Sequence, residues 1–353
     1  MKQMQTVPAI FVGTFAVVPS IVLNFVSFAW ESDDRNSKHN EIKDETPKRR
    51  FKELAAPLPL VLLMCVFQLG PIWAHIKAIH YALCFRRTTD EKKKRFLFCK
   101  MIEAERDATL LRLLEGFLES APQMIVQSTV LYEFLWLRLK VVAWNKLPTW
   151  AYFQIGSLAL SLFSLSWSIT SQHRTIRIAS PDKVNVHPHE TFLQLIWRAA
   201  TICSRILVIG MYIMYLKFTA LLIGGVHFIV SMFHISALQS VDFGPRRPLL
   251  QLGVLLITAF LHLFAPFNIA DGQTRWRYFC GYLIELIEGI IIYYMVLTDH
   301  SFHFDWKFEF ATASAVFFSC GIMIMVIYYG CCHPNRRRHK RITNVETNDG
   351  PVQ

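Results

Sequence analysis

Between residues 101 and 127 an otherwise apolar run, MIEAERDATLLRLLEGFLESAPQMIVQ, carries Glu103, Glu105, Arg106, Asp107, Arg112, Glu115 and Glu119. These charges do not belong against acyl chains, since each one near the middle of a spanning helix costs about 2.5–3.5 kcal/mol on insertion scales. At about 100° per residue, Asp107, Arg112, Glu115 and Glu119 fall within about 140° of arc. Leu110, Leu111, Leu114 and Leu118 lie mostly outside that arc or at its border. Arg112 and Glu115 form an i, i+3 pair of opposite sign, and Glu115 and Glu119 an i, i+4 pair of like sign. The stripe holds more acid than base. It calls for a cation, the ammonium of a zwitterion, or basic side chains from another helix. Arg198 and Arg205, seven apart and so on one helical face, are the candidate partners.

Three arrangements suit such a stripe. It can be an ion-pair network that holds a bundle together. It can be a hydrophilic furrow along which a lipid headgroup slides while its tails stay in hydrocarbon, because intramembrane charge marks a functional site by default. Or Glu103 to Asp107 can lie in the cytosolic interface, leaving only Arg112, Glu115 and Glu119 to find partners at depth.

The elements that must position these residues are membrane helices. The 353-residue chain is 53% hydrophobic and only 18% charged, against about 25% charged in soluble domains. Its apolar residues gather in blocks near 8–30, 57–84, 101–131, 150–170, 192–216, 218–240, 249–267, 278–297 and 309–331. Most approach the roughly 20 residues that cross a bilayer core. Block 57–84 has seven Lys or Arg on each side, in 31–53 and 86–100, and is broken at Gly70-Pro71. A proline there removes a donor and clashes with the preceding turn. The block therefore reads as two half-helices that enter and leave on one face. Block 249–267 repeats the pattern, with Arg246 and Arg247 before it, Pro266 and Asn268 at its end, and Arg275 and Arg277 after it. The reading is an all-α polytopic bundle of about seven spans plus two re-entrant elements in two pseudo-repeats, since irregular backbone at membrane depth needs protein or a wet cavity around it. The alternative is two ordinary, proline-kinked spans. With a cytosolic C-terminus and an outside N-terminus, cytosolic segments hold 26 Lys or Arg and outside segments 6, as charge bias in short loops requires.

One transmembrane domain, 1–331, thus carries two cytosolic basic loops, 31–53 and 86–100, and is followed by a basic, disordered tail, 332–353. The net charge of +11 sits beside apolar blocks, where it suits anionic headgroups. No nucleic-acid motif accompanies it. The eight cysteines have no secreted disulfide spacing and read as reduced thiols. Cys331 and Cys332 are placed as juxtamembrane palmitoylation sites are, and with His333 they are too isolated for zinc. Trp306, Tyr328 and Tyr329 read as interfacial anchors. No nucleophile–base pair, phosphate loop, metal cluster or cleavable signal peptide is legible, so no enzyme, metal or cofactor is expected.

The run FLESAPQ (Phe117, Leu118, Glu119, Ser120, Ala121, Pro122, Gln123), with Lys100-Met101 before it and Gln127 after it, resembles the signature of XK-related proteins. FQLGPIW at 67–73, FN with DGQTR at 267–275 and YYGCCHPN at 328–335 extend the resemblance in order over most of the chain. It implies two pseudo-repeats with re-entrant helices and a polar furrow using charges that match Asp107, Arg112, Glu115 and Glu119. It also implies a plasma-membrane location and, in some members, caspase-activated scrambling that exposes phosphatidylserine on dying cells. Other members bind a lipid-transfer protein or a membrane peptidase. Family members carry a further acidic-containing helix ahead of the one matched by 8–30, and the chain is expected to lack it. Asp349 before Gly350 has the form of a caspase site, as does ESDD before Arg35. The expected partners are phospholipids, a membrane or lipid-transfer protein, or a second copy of the chain. Three functions stay open on the residues: a scramblase, a non-catalytic membrane dock, and an ion channel or transporter.

Overall fold

The structure, a computed structural model, describes residues 13–15, 17–27, 63–64, 66–67, 69–138, 148–179, 184–238, 248–268 and 275–332. Loop 31–53 and the tail from 333 onward, with Asp349, lie outside the described residues. All regular structure among the described residues is helical. The helices are α1 (Gly13–Ser27), α2 (Gly70–Arg87), α3 (Glu91–Glu115), α4 (Ala121–Arg138), α5 (Thr149–Ala179), α6 (Pro188–Leu216), α7 (Ala220–Leu238), α8 (Pro248–His262), α9 (Arg275–Thr298) and α10 (Lys307–Ile327). Among the described residues four segments are long and apolar enough to cross a membrane: Thr149–Ala179, Pro188–Ala237, Trp276–Thr298 and Lys307–Cys332. The second of these is divided by a 3-10 turn at Lys217–Thr219, where Lys217 adopts a left-handed φ of 52°. Phe218 and Leu221 beside it are 83% and 76% exposed. Many further large apolar side chains are bare along the helices, an outer surface suited to lipid and not to water. The chain is an all-helical membrane protein.

It divides into two compact units. The first comprises Ala9–Glu119, Trp167–Thr191 and Cys331–Gln353. Here the expected break appears: α2 starts at Gly70 with Pro71 in its first turn, where a missing N–H does no harm. A Cβ on Gly70 would lie 2.8 Å from Ser27 Cβ, so only glycine lets α2 start against α1. Asp90 caps α3 by accepting from the Lys92 N–H at 3.0 Å, as an N-cap aspartate does. Tyr81, Leu97 and Ala104 bury between α2 and α3, with Phe85, Phe96 and Met101 packed around them. Near the start of α6, Glu190 accepts from the His187 N–H at 2.7 Å, the return half of a capping box.

The second unit comprises Met1–Pro8, Ser120–Ser166 and Phe192–Gly330 and is organised around α6. Trp197 of α6 donates to the Tyr282 hydroxyl of α9 at 2.8 Å. Ser204 bonds the Ser314 carbonyl of α10 at 2.9 Å. A Cβ on Gly321 would come within 2.7 Å of Thr201 Cγ2, so α10 lies very close to α6. Small residues and interhelical hydroxyl bonds are how membrane helices associate, because lipid supplies no hydrophobic force between them. Tyr328 is a correction: it is buried, not an interfacial anchor, and its hydroxyl accepts from Gln194 Nε2 at 2.5 Å.

Candidate functional site

The stripe lies on α3 and the turn that follows. Leu111, Leu113 and Leu114 are buried, whereas Arg112 and Glu115 beside them are exposed. Among the described residues neither the Arg112 nor the Glu115 side chain forms an ion pair or hydrogen bond, so the i, i+3 pairing expected from their spacing is not made. Asp107 is half-buried and lies 3.6 Å from Arg106. Glu103 pairs with Lys100 at 2.9 Å. The Thr109 hydroxyl, one turn before Arg112, lies 2.5 Å from Gln172 Oε1.

Immediately after Glu115 the helix widens into a π turn, Gly116–Ser120, before α4 begins at Ala121. Pro122 supplies the physical cause. It has no N–H to offer the Leu118 carbonyl, and a wider turn absorbs that mismatch without ending the helix. Glu119 and Ser120 are half-buried in this turn, while Phe117, Ala121 and Pro122 are buried and Leu118 and Gln123 partly so. In the second unit, Ser120 opens onto a groove of about 510 Å³ whose wall includes Ser157, Ser161 and Ser164 of α5.

Arg198 and Arg205, expected to answer the stripe, make their hydrogen bonds within the second unit. Arg198 donates to the Pro266 carbonyl at 2.9 Å and the Tyr278 hydroxyl at 2.7 Å, with its guanidinium 4.5 Å from the Trp197 ring centre. Arg205 Nε donates to the Leu263 carbonyl at 2.8 Å, and its Nη1 lies 2.7 Å from Glu288 Oε2. His227 Nδ1 meets the same carboxylate oxygen at 2.8 Å, and its Nε2 meets the His262 carbonyl at 3.0 Å. A carbonyl only accepts, so that nitrogen carries a proton. His262 Nε2 lies 2.8 Å from the Phe267 carbonyl.

The carbonyls of residues 262, 263, 266 and 267 each therefore meet a buried side-chain nitrogen. α8 ends at His262, and the chain continues through a turn and a bend to an irregular stretch at 266–268. A helix end leaves its last carbonyls unpaired and carries partial negative charge. Buried, those groups need internal donors; Arg198, Arg205 and His227 supply three of them, while His262 Nε2 faces both the carbonyl and, at 3.2 Å, the N–H of Phe267. Glu285, Glu288, His227 and His262 were not singled out by the sequence reading. The signal was available: Glu285 and Glu288 interrupt the apolar block 278–297 as surely as the charges of 101–127 interrupt theirs.

The runs that carry the resemblance coincide with backbone irregularities. FQLGPIW spans the break before α2, FLESAPQ overlaps the first π turn, FN lies at the turn after α8, and YYGCC forms a second π turn, Tyr328–Cys332. Single π turns occur often at functional sites. Among the described residues no group of three or more His, Cys, Asp or Glu is arranged to hold a metal ion.

A family model described as XK-related protein matches residues 1–334. Cell death abnormality protein 8 of Caenorhabditis briggsae is 39% identical over 354 residues, covering 95% of this chain and 73% of its own. The Caenorhabditis elegans protein of the same name is 36% identical over 334 residues, covering 92% and 71%.

Proposed function

The chain belongs to the XK-related family, and from that premise we propose that it lets phospholipids cross between the leaflets of the plasma membrane, exposing phosphatidylserine in dying cells. The names of the two relatives support the link to cell death. The observation that carries the transport reading is the exposed, unpaired Arg112 and Glu115 flanked by buried leucines on α3. Charges left open beside apolar packing suit a headgroup that passes while its tails remain in lipid. The mechanism is passive: the furrow lowers the cost of carrying a polar group through hydrocarbon, and no chemical bond changes, so the protein is not an enzyme. The path candidates are Asp107, Arg112, Glu115 and Glu119. The carbonyl capping by Arg198 and Arg205 favours a bundle-stabilising role for those two.

In the same reading seven segments span, 57–84 and 249–267 are re-entrant, and the C-terminus is cytosolic. The 15 residues of α8 reach about 22 Å, short of a hydrocarbon core of about 30 Å. The test is exchange of headgroup-labelled lipid in proteoliposomes. Glu115→Ala with Glu119→Ala slows it; an unchanged rate with folded protein would remove the assigned path. Scrambling by no purified form, with recovery of a bound membrane or lipid-transfer protein, would instead select the docking role.

A further inference from the structure

The tip of the α2–α3 hairpin carries charge that the lipid path does not use. Residues 86–100 hold seven Lys or Arg against Asp90 and Glu91. The two helices are joined by three residues, and the tip is fixed by contact: the Phe85 and Phe98 rings lie 5.7 Å apart, and Lys94 Nζ sits 5.9 Å from the Phe85 centroid. Asp90 is occupied with the Lys92 N–H, Glu91 lies 3.8 Å from Lys94, and Lys100 pairs with Glu103. That leaves Arg86, Arg87, Lys92, Lys93 and Arg95, all exposed, with no ion pair or side-chain hydrogen bond among the described residues.

A second observation locates this tip. Ile72, Ile76, Ile79 and Leu83 form an exposed apolar stripe along α2, at the i, i+4, i+7, i+11 spacing of one helical face. The stripe runs directly into Arg86 and Arg87, where a helix leaving hydrocarbon meets headgroups, and exposed Phe98 faces outward at the same level. Five unanswered cations at such a level match an anionic bilayer surface, and the arginines can grip phosphate with two donors each.

We propose that the α2–α3 tip is a binding surface for anionic phospholipid headgroups of the adjoining leaflet, formed by Arg86, Arg87, Lys92, Lys93 and Arg95. It gathers phosphatidylserine around the protein whether or not the chain transports it, so this inference and the transport reading can fail separately.

The test uses the full chain in nanodiscs of phosphatidylcholine with phosphatidylserine, and reads the ratio of the two lipids that stay with the protein on mild extraction. The wild type retains phosphatidylserine preferentially, and the preference weakens with salt as screening shortens from about 30 Å to about 8 Å. Lys92→Gln with Lys93→Gln lowers it by about thirtyfold. Lys100→Gln, whose charge is already answered by Glu103, leaves it within about twofold. An unchanged unfolding midpoint shows that each variant is folded. A preference that survives neutralisation of all five cations overturns the proposal. So does a loss with Lys100→Gln as large, per charge removed, as with the tip pair, which would mean that net charge alone acts.

Discussion

Removing Arg205 tests whether these buried cations serve the backbone or the lipid path. Its guanidinium makes three contacts at once: the Leu263 carbonyl at 2.8 Å, Glu288 at 2.7 Å and His227 at 3.2 Å. Arg205→Met leaves Glu288, a largely buried carboxylate, without its main counter-charge, and breaking a fully buried pair costs about 3–5 kcal/mol, an upper bound here. Arg205→Lys keeps the charge but cannot reach both the carboxylate and the Leu263 carbonyl. It forfeits one charge-assisted bond, about 1.5–3 kcal/mol. Arg205→Met combined with Glu288→Met removes both charges, so the double variant loses less than the two single losses added together. Chemical unfolding in detergent gives the four values, Glu288→Met alone included. Hydrogen exchange at the amides of 263–265, 267 and 268 localises the damage, which should be greatest there. If Arg205→Met unfolded no earlier than Arg112→Met, which removes an exposed cation, the capping argument would be wrong. Unchanged stability with lost lipid exchange would return Arg205 to the path.

The other predictions are more local. Pro122→Ala returns an N–H to the Leu118 carbonyl and lets the π turn tighten to α. Stability rises, by up to about 3 kcal/mol, while lipid exchange falls because Glu119 turns by about 100° relative to Glu115; an unchanged exchange rate in a variant that has gained stability contradicts this. Gly281→Ala places a methyl 2.8 Å from Pro266 Cβ, a ring carbon that cannot swing aside, and costs about 1–3 kcal/mol in the unfolding midpoint. Asp299, in the turn after α9, is held below the ordinary aspartate range by hydrogen bonds from the Ser301 hydroxyl and N–H. Its lowered folded value means that the turn is fully stabilised above the unfolded aspartate range and loses this support as pH falls through the lowered one. Exchange of the Ser301 amide, corrected for intrinsic rate, accelerates over that window; Asp299→Asn abolishes the pH dependence.

The break at Gly70-Pro71 and the end of the 249–267 block were legible because proline acts on its own neighbours, whatever else surrounds it. The apolar blocks were legible for a similar reason, since immersion in lipid constrains every residue of a spanning face. The π turn was not. Pro122 signals a missing donor, but whether the chain kinks, ends or widens depends on packing at Phe117 and Ala121, both buried. Arg198 and Arg205 could be found as charges in an apolar block, but their partners could not. Those partners lie 22 to 83 residues further along the chain, at His227, Leu263, Pro266, Tyr278 and Glu288. Two of them are backbone carbonyls, which any residue type provides, so no pattern of side chains announces them.

The seam between α6 and α10 bears on how this protein can be handled. Ser204 and Ser314 exchange hydroxyl and carbonyl bonds, and Thr201 closes over Gly321 with no room for a side chain. Such contacts carry their partners with them and owe nothing to the medium outside. A micelle in place of the native bilayer therefore leaves this helix pair joined. Purification should preserve the seam even where looser, lipid-supported surfaces such as α7 relax.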